Sequence, residues 1–203
     1  MFWSTCDRKK RTWFRPDLAK NPVIPASHIV CELDSALQNQ MNAEETLTFS
    51  ICVQKAGEIW NAIPDEAFFS GTSRYFSRPA GEKVLALIKK TCTNVADVHG
   101  CRVEFEPYTK VLMEPVINDQ EVVEETAQKL TQMCGPQVLG EHGLWFASET
   151  FCKYLNKYPG ALGFLGIANP DLGSGAAHHN SRFDVDESAL LLGVCAELSF
   201  ALR

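Results

Sequence analysis

The stretch "AAHHNSRFDVDESALLLG", residues 176–193, puts His178 and His179 in a loop of small residues just ahead of an acidic helix start. A neutral imidazole nitrogen is a good zinc ligand. Neighbouring side chains of an extended segment face opposite ways, so the two histidines are not expected to share a metal. A catalytic zinc takes three protein ligands and an open position, and this loop cannot hold one alone. Taken without context, two histidines in a surface loop are more often bystanders than ligands.

The bulk numbers narrow what such a loop could belong to. At 203 residues the chain has room for one large domain or two small ones. Hydrophobic residues at 45% and charged residues at 22% are ordinary for a globular protein. A net charge of −6 argues against a nucleic-acid surface. The basic cluster "RKKR", Arg8–Arg11, reads as a solvated segment. No apolar run approaches the roughly 20 residues a membrane helix needs. The start "MFWSTCDRKK" lacks the basic-then-apolar order of a secretory signal. Neither nucleic acid nor membrane is an expected partner. The eight cysteines are scattered singly without a C-x-x-C pair, mostly in apolar patterns where cysteine acts as a small buried hydrophobe. A cytoplasmic setting is the expectation.

The elements that must position the loop follow from periodicity. "NPVIPASHIVCELDSAL" opens with Asn21 as N-cap and Pro22 at the first helical position, and Ile29, Val30, Leu33 and Leu37 recur at helical spacing. In "TLTFSICVQKAG", Leu47, Phe49, Ile51 and Val53 alternate with polar residues, as a half-buried strand requires. "EIWNAIPDEA" is a loop and "FFSGTSRYF" an antiparallel neighbour. After Pro79 comes a helix with Val84, Leu85, Ile88 and Val95 on one face and Gly100 placed to end it, then a strand in "CRVEFEPYTKVL". Helix, strand, strand, helix, strand is a ferredoxin-like split βαβ unit lacking its first strand. Around Pro115 the character changes. "NDQEVVEETAQKLTQMC" is an amphipathic helix with an acidic first turn, and "ASETFCKYLNKYP" a short helix. "GALGFLGI" reads as a strand buried on both faces of an α/β sheet, and the terminal "DESALLLGVCAELSFALR" as a helix packed on that sheet.

Four stretches in this order, "RPDLAKNPVIPASHIV", "AGEIWNAIPDEAFFSGTSRYF", "SETFCKYLNKYPGALGFLG" and "HHNSRFDVDESAL", resemble the aminoacylase and carboxypeptidase-type amidohydrolases of the M20 metallopeptidase family, nearest the hippurate hydrolase and indole-acetyl-amino-acid hydrolase branch. The resemblance implies an α+β fold: a ferredoxin-like lid, or dimerisation, domain over residues 15–112, then the C-terminal α/β fragment of a zinc-peptidase-like catalytic domain over 113–203. It implies hydrolysis of N-acyl amino acids or similar amides by a metal-bound water. His179, four residues before Phe183, matches the family's last metal ligand, so zinc or another divalent metal is the implied cofactor. Asn61 and Arg74 match lid positions that contact substrate, commonly in the partner subunit's site. A guanidinium suits a carboxylate and an amide can steer a carbonyl. The plain alternative is a strand arginine and a turn asparagine ahead of Pro64. Ser148 and Glu149 fall in the family's Gly-Ser-Glu-Asp-Phe stretch, here "FASETF", which departs from it at Phe146, Ala147 and Thr150. His28, His99 and His142 match no motif.

The family's other metal ligands and its general-base glutamate precede the lid, so no catalytic residue is assigned here and the metal site is expected to be incomplete in this chain. The implied partners are a second copy, through the lid, or a chain supplying the missing half. A non-catalytic dimerisation module, or the remnant of a frameshifted gene, is the competing expectation. Thr12 stands where a family histidine belongs. Read one base out of frame, codons for Thr12-Trp13-Phe14 can spell His-Gly-Ser, and those for "CDRKKR" can spell Val-Thr-Gly-Arg-Arg-Gly. Residues 1–14 are therefore expected to be either an out-of-frame reading of the lid's first strand or a divergent start that supplies a strand through "MFWSTC".

Overall fold

The computed structural model describes residues 2–5, 11–12 and 15–202, with 2–5 and 11–12 traced as backbone. Its elements are β1 (Phe2–Thr5), β2 (Arg11–Thr12), α1 (Val23–Gln40), β3 (Leu47–Ala56), β4 (Ala62–Ile63), β5 (Glu66–Tyr75), α2 (Arg78–Val98), β6 (Arg102–Phe105), α3 (Gln120–Cys134), α4 (Cys152–Leu155) and α5 (Ala189–Ala201). The fold is α+β. It divides into two units, one of residues 1–115 with 146–149, the other of 116–145 with 150–203.

In the first unit an antiparallel sheet runs in the order β3-β5-β1-β6. The backbone of β1 pairs with β5 (Phe2 opposite Phe69) on one side and with β6 (Phe2 opposite Phe105) on the other. The unit does not lack its first strand, and that strand lies where the alternative of a start supplying one through "MFWSTC" expects it. A central strand takes its partners from far along the chain, and no local pattern around "MFWST" announces them. The out-of-frame reading of residues 1–14 falls largely on residues outside those described. β3 and β5 are offset by a bulge between Ile51 and Val53, opposite Gly71. A Cβ at Gly71 would run into the Ser50 carbonyl oxygen, so only glycine lets the two strands approach there.

Both helices of the unit begin and end for local reasons. Asn21 Oδ1 accepts from Val23 N–H at 3.1 Å, with Pro22 at the cap, so α1 starts one residue later than expected. Ser77 Oγ accepts from Ala80 N–H at 3.2 Å with Pro79 inside the first turn of α2. Gly100, at φ +65°, closes the other end, and Cys101 N–H returns to the Ala96 carbonyl at 2.9 Å. Ile29, Leu33 and Leu37 of α1 and Val84, Leu87 and Ile88 of α2 bury against Ala67 and Phe69. Leu85, expected on the buried face, is only half-buried, and Leu87 takes the core position. Burial pushes the Cys92 thiol up to about 12. Cys101 is disulfide-bonded, a departure from the reading of the cysteines as buried hydrophobes.

The second unit follows its sequence less closely. α3 is capped as its acidic start suggests, Asp119 Oδ1 accepting from Val122 N–H at 3.0 Å. "GALGFLGI" is not a paired strand. The Asn118 side chain accepts from Leu162 N–H at 2.8 Å and donates to its carbonyl at 3.0 Å, and Phe164 is 53% exposed. A strand needs neighbours for its ladder, and among the described residues none lies beside this segment. α5 likewise packs on α3 rather than on a sheet. Lys129 Nζ donates to the Leu202 carbonyl at 3.0 Å, while Leu191 stays 71% exposed. Among the described residues no helix is long and apolar enough to cross a membrane.

Candidate functional site

Asn61 sits in the turn between β3 and β4, where Ala62 N–H donates to the Ile59 carbonyl at 3.3 Å. Its half-buried amide has no hydrogen-bond partner among the described residues. Beside it Ile59 and Trp60 are 61% and 91% exposed. Thr12 pairs by backbone with Ala62, so it lies next to this turn. Arg74 lies near the end of β5, opposite Thr48 of β3, and is half-buried. Its Nη1 donates to Thr72 Oγ1 at 2.5 Å and to the Ser73 carbonyl at 3.1 Å. Among the described residues no carboxylate pairs with it, which leaves its charge open to an anionic ligand. The end of β5 is held by Tyr75, whose hydroxyl donates to the Met113 carbonyl at 2.6 Å while its ring fills the space over Gly81.

His179 belongs to the second unit. Among the described residues it is the one non-glycine with positive φ, at 63°. A β-carbon in the left-handed region costs of order 1–3 kcal/mol unless the surroundings hold it there. What holds it is anchored on both sides. Ser174, 5% exposed, accepts from Asn169 N–H at 2.6 Å and donates to the Ile167 carbonyl at 3.2 Å. Asp186 accepts from Asn169 Nδ2 at 2.7 Å and from Ser188 N–H at 2.9 Å, and its own N–H donates to the Ile167 carbonyl at 3.0 Å. The hydrogen bonds from Asn169 and Ser188 lower the Asp186 carboxyl below its usual range. This anchor is therefore complete above the ordinary carboxylate pKa and loosens as pH falls through the lowered one.

The two histidines part company as expected of neighbours. The His178 ring lies edge-on to Trp145 at 5.6 Å and tilts against Phe183 at 5.4 Å. His142 stacks on Phe164 at 4.6 Å, and Trp145 tilts against the same ring at 5.3 Å. His179 is exposed and makes no ring or hydrogen-bond contact among the described residues, so its nitrogens are open. The five-ring cluster escaped the sequence analysis because its members come from three separated loops without a common spacing. A similar case is the His28–His99 contact between α1 and the end of α2, with centroids 5.3 Å apart. His179→Gly is expected to leave stability unchanged or raise it by up to about 1 kcal/mol, since glycine adopts positive φ without penalty. Urea unfolding followed by fluorescence reads this, and a clear loss would show that the histidine ring itself supports the loop.

As a metal centre the donor set falls short. Among the described residues no group of three or more His, Cys, Asp or Glu is placed to hold a metal ion. One open imidazole does not make a hydrolytic zinc site, which takes three protein ligands and a water position.

Residues 7–99 match the peptidase dimerisation domain of the M20 family. The chain carries an M20 peptidase dimerisation domain. That domain runs from ahead of β2 through α2, so it contains Asn61 and Arg74, whereas His179 lies beyond it. Similarity continues past the domain. The chain is 24% identical over 190 residues to the IAA-amino acid hydrolase ILR1-like 2 of Arabidopsis thaliana, covering 93% of this chain and 43% of that protein. It is 27% identical over 177 residues to the N-acetylcysteine deacetylase of Bacillus subtilis, covering 86% of this chain and 44% of that protein. The Bacillus subtilis YXEP protein, described as a dinuclear metal binding peptidase from the M20 family, superposes with a TM-score of 0.68 at 26% identity, covering 99% of this chain and 49% of that one. The chain thus spans about half the length of the relatives it matches.

Proposed function

We propose that this chain provides the lid (residues 15–112) and the closing segment (113–203) of a metal-dependent amidohydrolase acting on N-acyl amino acids or a similar amide. His179 is a metal ligand in this reading, zinc the metal, and Asn61 and Arg74 hold substrate. The carrying observation is the M20 dimerisation domain continued by similarity through the His179 loop to hydrolases and deacetylases of amino-acid amides. The left-handed, otherwise unoccupied His179 and the unpaired Arg74 support the assignment. The remaining ligands and the general base come from polypeptide outside these 203 residues. Leu144, Phe164 and Leu191, 63%, 53% and 71% exposed, support a surface in the second unit that other polypeptide covers. A cytoplasmic setting belongs to the same reading.

A second reading, resting on the match of residues 7–99 to a peptidase dimerisation domain, is a non-catalytic dimerisation module. Zinc analysis of the dialysed protein separates the two. The chain alone is expected to retain well under one zinc and to leave N-acetyl amino acids intact. Co-expressed with the N-terminal half of a family relative, it is expected to bind zinc stoichiometrically and to lose that zinc in His179→Ala. Zinc binding by the assembled protein that His179→Ala leaves untouched would remove His179 from the site, and co-expression that yields neither a complex nor metal favours the module.

A further inference from the structure

His28 and His99 take no part in the amidohydrolase reading, yet the fold brings them together. Their ring centroids lie 5.3 Å apart, with the planes at 69°. His28 is exposed in the second turn of α1, and His99 is the half-buried C-cap of α2, the helix packed against it. Both belong to the first unit, whereas His179 belongs to the second. The pair opens onto a cavity of about 370 Å³ whose lining also includes Cys31, Glu32, Val95 and Val98. Cys31 and Glu32 follow His28 at helical spacing, so they share its face of α1.

Two imidazoles on one tetrahedral zinc, with Zn–N of about 2.0–2.1 Å, have ring centroids about 5 Å apart. The separation of His28 and His99 matches that spacing. The rings are edge-to-face rather than stacked, and the terminal torsion of histidine is broad. A turn of either ring therefore brings one nitrogen of each towards a common point. We propose that His28 and His99 form a two-imidazole site for a borderline divalent cation such as zinc, which ties the start of α1 to the end of α2. Imidazole nitrogen selects zinc, nickel or copper over magnesium and calcium, which prefer oxygen. Among the described residues no third His, Cys, Asp or Glu is placed with the pair, so solvent fills the other positions. The Glu32 carboxylate adds negative charge to the cavity wall, which favours a cation there. With two protein ligands instead of the four of a structural zinc, the ion exchanges readily and leaves on dialysis. The site does not depend on the hydrolase reading.

The test is a zinc titration of the intact 203-residue protein, followed by proton–nitrogen correlation spectra that resolve its five histidine rings. The His28 and His99 ring nitrogens are expected to shift together, along one binding curve. Magnesium at the same concentrations should move neither. His28→Ala and His99→Asn, each checked for native circular dichroism, should weaken zinc binding at the remaining ring by about tenfold or more, since a chelate that loses one arm loses its effective concentration. His179 reports in the same spectra as a separate ring, so the fate of its assignment is read independently. Rings that respond on different curves, a variant that leaves the other ring's affinity unchanged, an equal response to magnesium, or no response of either ring up to millimolar zinc would each overturn the proposal.

Discussion

Phe69→Ala is expected to remove about 3–5 kcal/mol from the first unit, the usual loss when a fully buried aromatic is cut back to a methyl group. Phe69 has no exposed surface and sits on β5, between β3 and β1, beneath both helices. The cavity cannot collapse easily. The backbone on either side is held in ladders, with Gln54 opposite on one strand and Phe2 on the other. Domains of this size have roughly 5–15 kcal/mol in all, so the variant should unfold partly at ordinary temperature. Urea titration reads the loss directly, and Phe69→Leu, which keeps most of the volume, should cost clearly less. A Phe69→Ala protein with an unchanged midpoint would mean that the core lies elsewhere.

The same core shows what periodicity can and cannot reveal. Ile29, Leu33 and Leu37 are spaced for one helical face, and Leu47 to Val53 alternate for one strand face, so both were legible. β1 was legible only as one of two alternatives for the start, a strand through "MFWSTC", because its partners Glu66–Phe69 and Arg102–Phe105 are far along the chain. "GALGFLGI" misled for the opposite reason. An apolar run records what a segment is suited to pack against, and its paired state depends on neighbours that are not among the described residues. α5 has apolar residues all round, Leu190 through Val194, and so carries no face to read.

The site was legible only in part, and for a different reason. Two adjacent histidines suggest a metal ligand only together with the family resemblance, which points to His179. The structure adds a physical distinction, the left-handed backbone at His179 against the ring contacts of His178. Asn61 and Arg74 are unremarkable by residue type. Their resemblance to family positions singled them out, and the structure supplies the open hydrogen-bonding groups. The contacts of His142 with Phe164 and of His28 with His99 arise from tertiary packing and had no local signal.

A second large effect is expected at β3. Among the described residues it is a ten-residue edge strand, next in the sheet only to β5, and there it presents a long row of backbone groups with no ladder partner. The opposite edge, β6, has four residues. A second copy adding its own β3 antiparallel across a two-fold axis satisfies that row without any new element. Its solvent face, with Ser50 and Cys52 exposed, carries no charge at mid-strand to oppose such pairing. Ser50→Lys with Cys52→Lys sets like charges against each other across the axis and should convert a dimer to a monomer without unfolding the unit. Light scattering coupled to size exclusion at micromolar concentration, on the native chain and on this double variant, is the direct test that the chain works as an M20 dimerisation lid. A dimeric native chain and a folded, monomeric variant are predicted. A native chain that stays monomeric, or a variant that dimerises as tightly as the native chain, would contradict pairing through the lid's β3 edge.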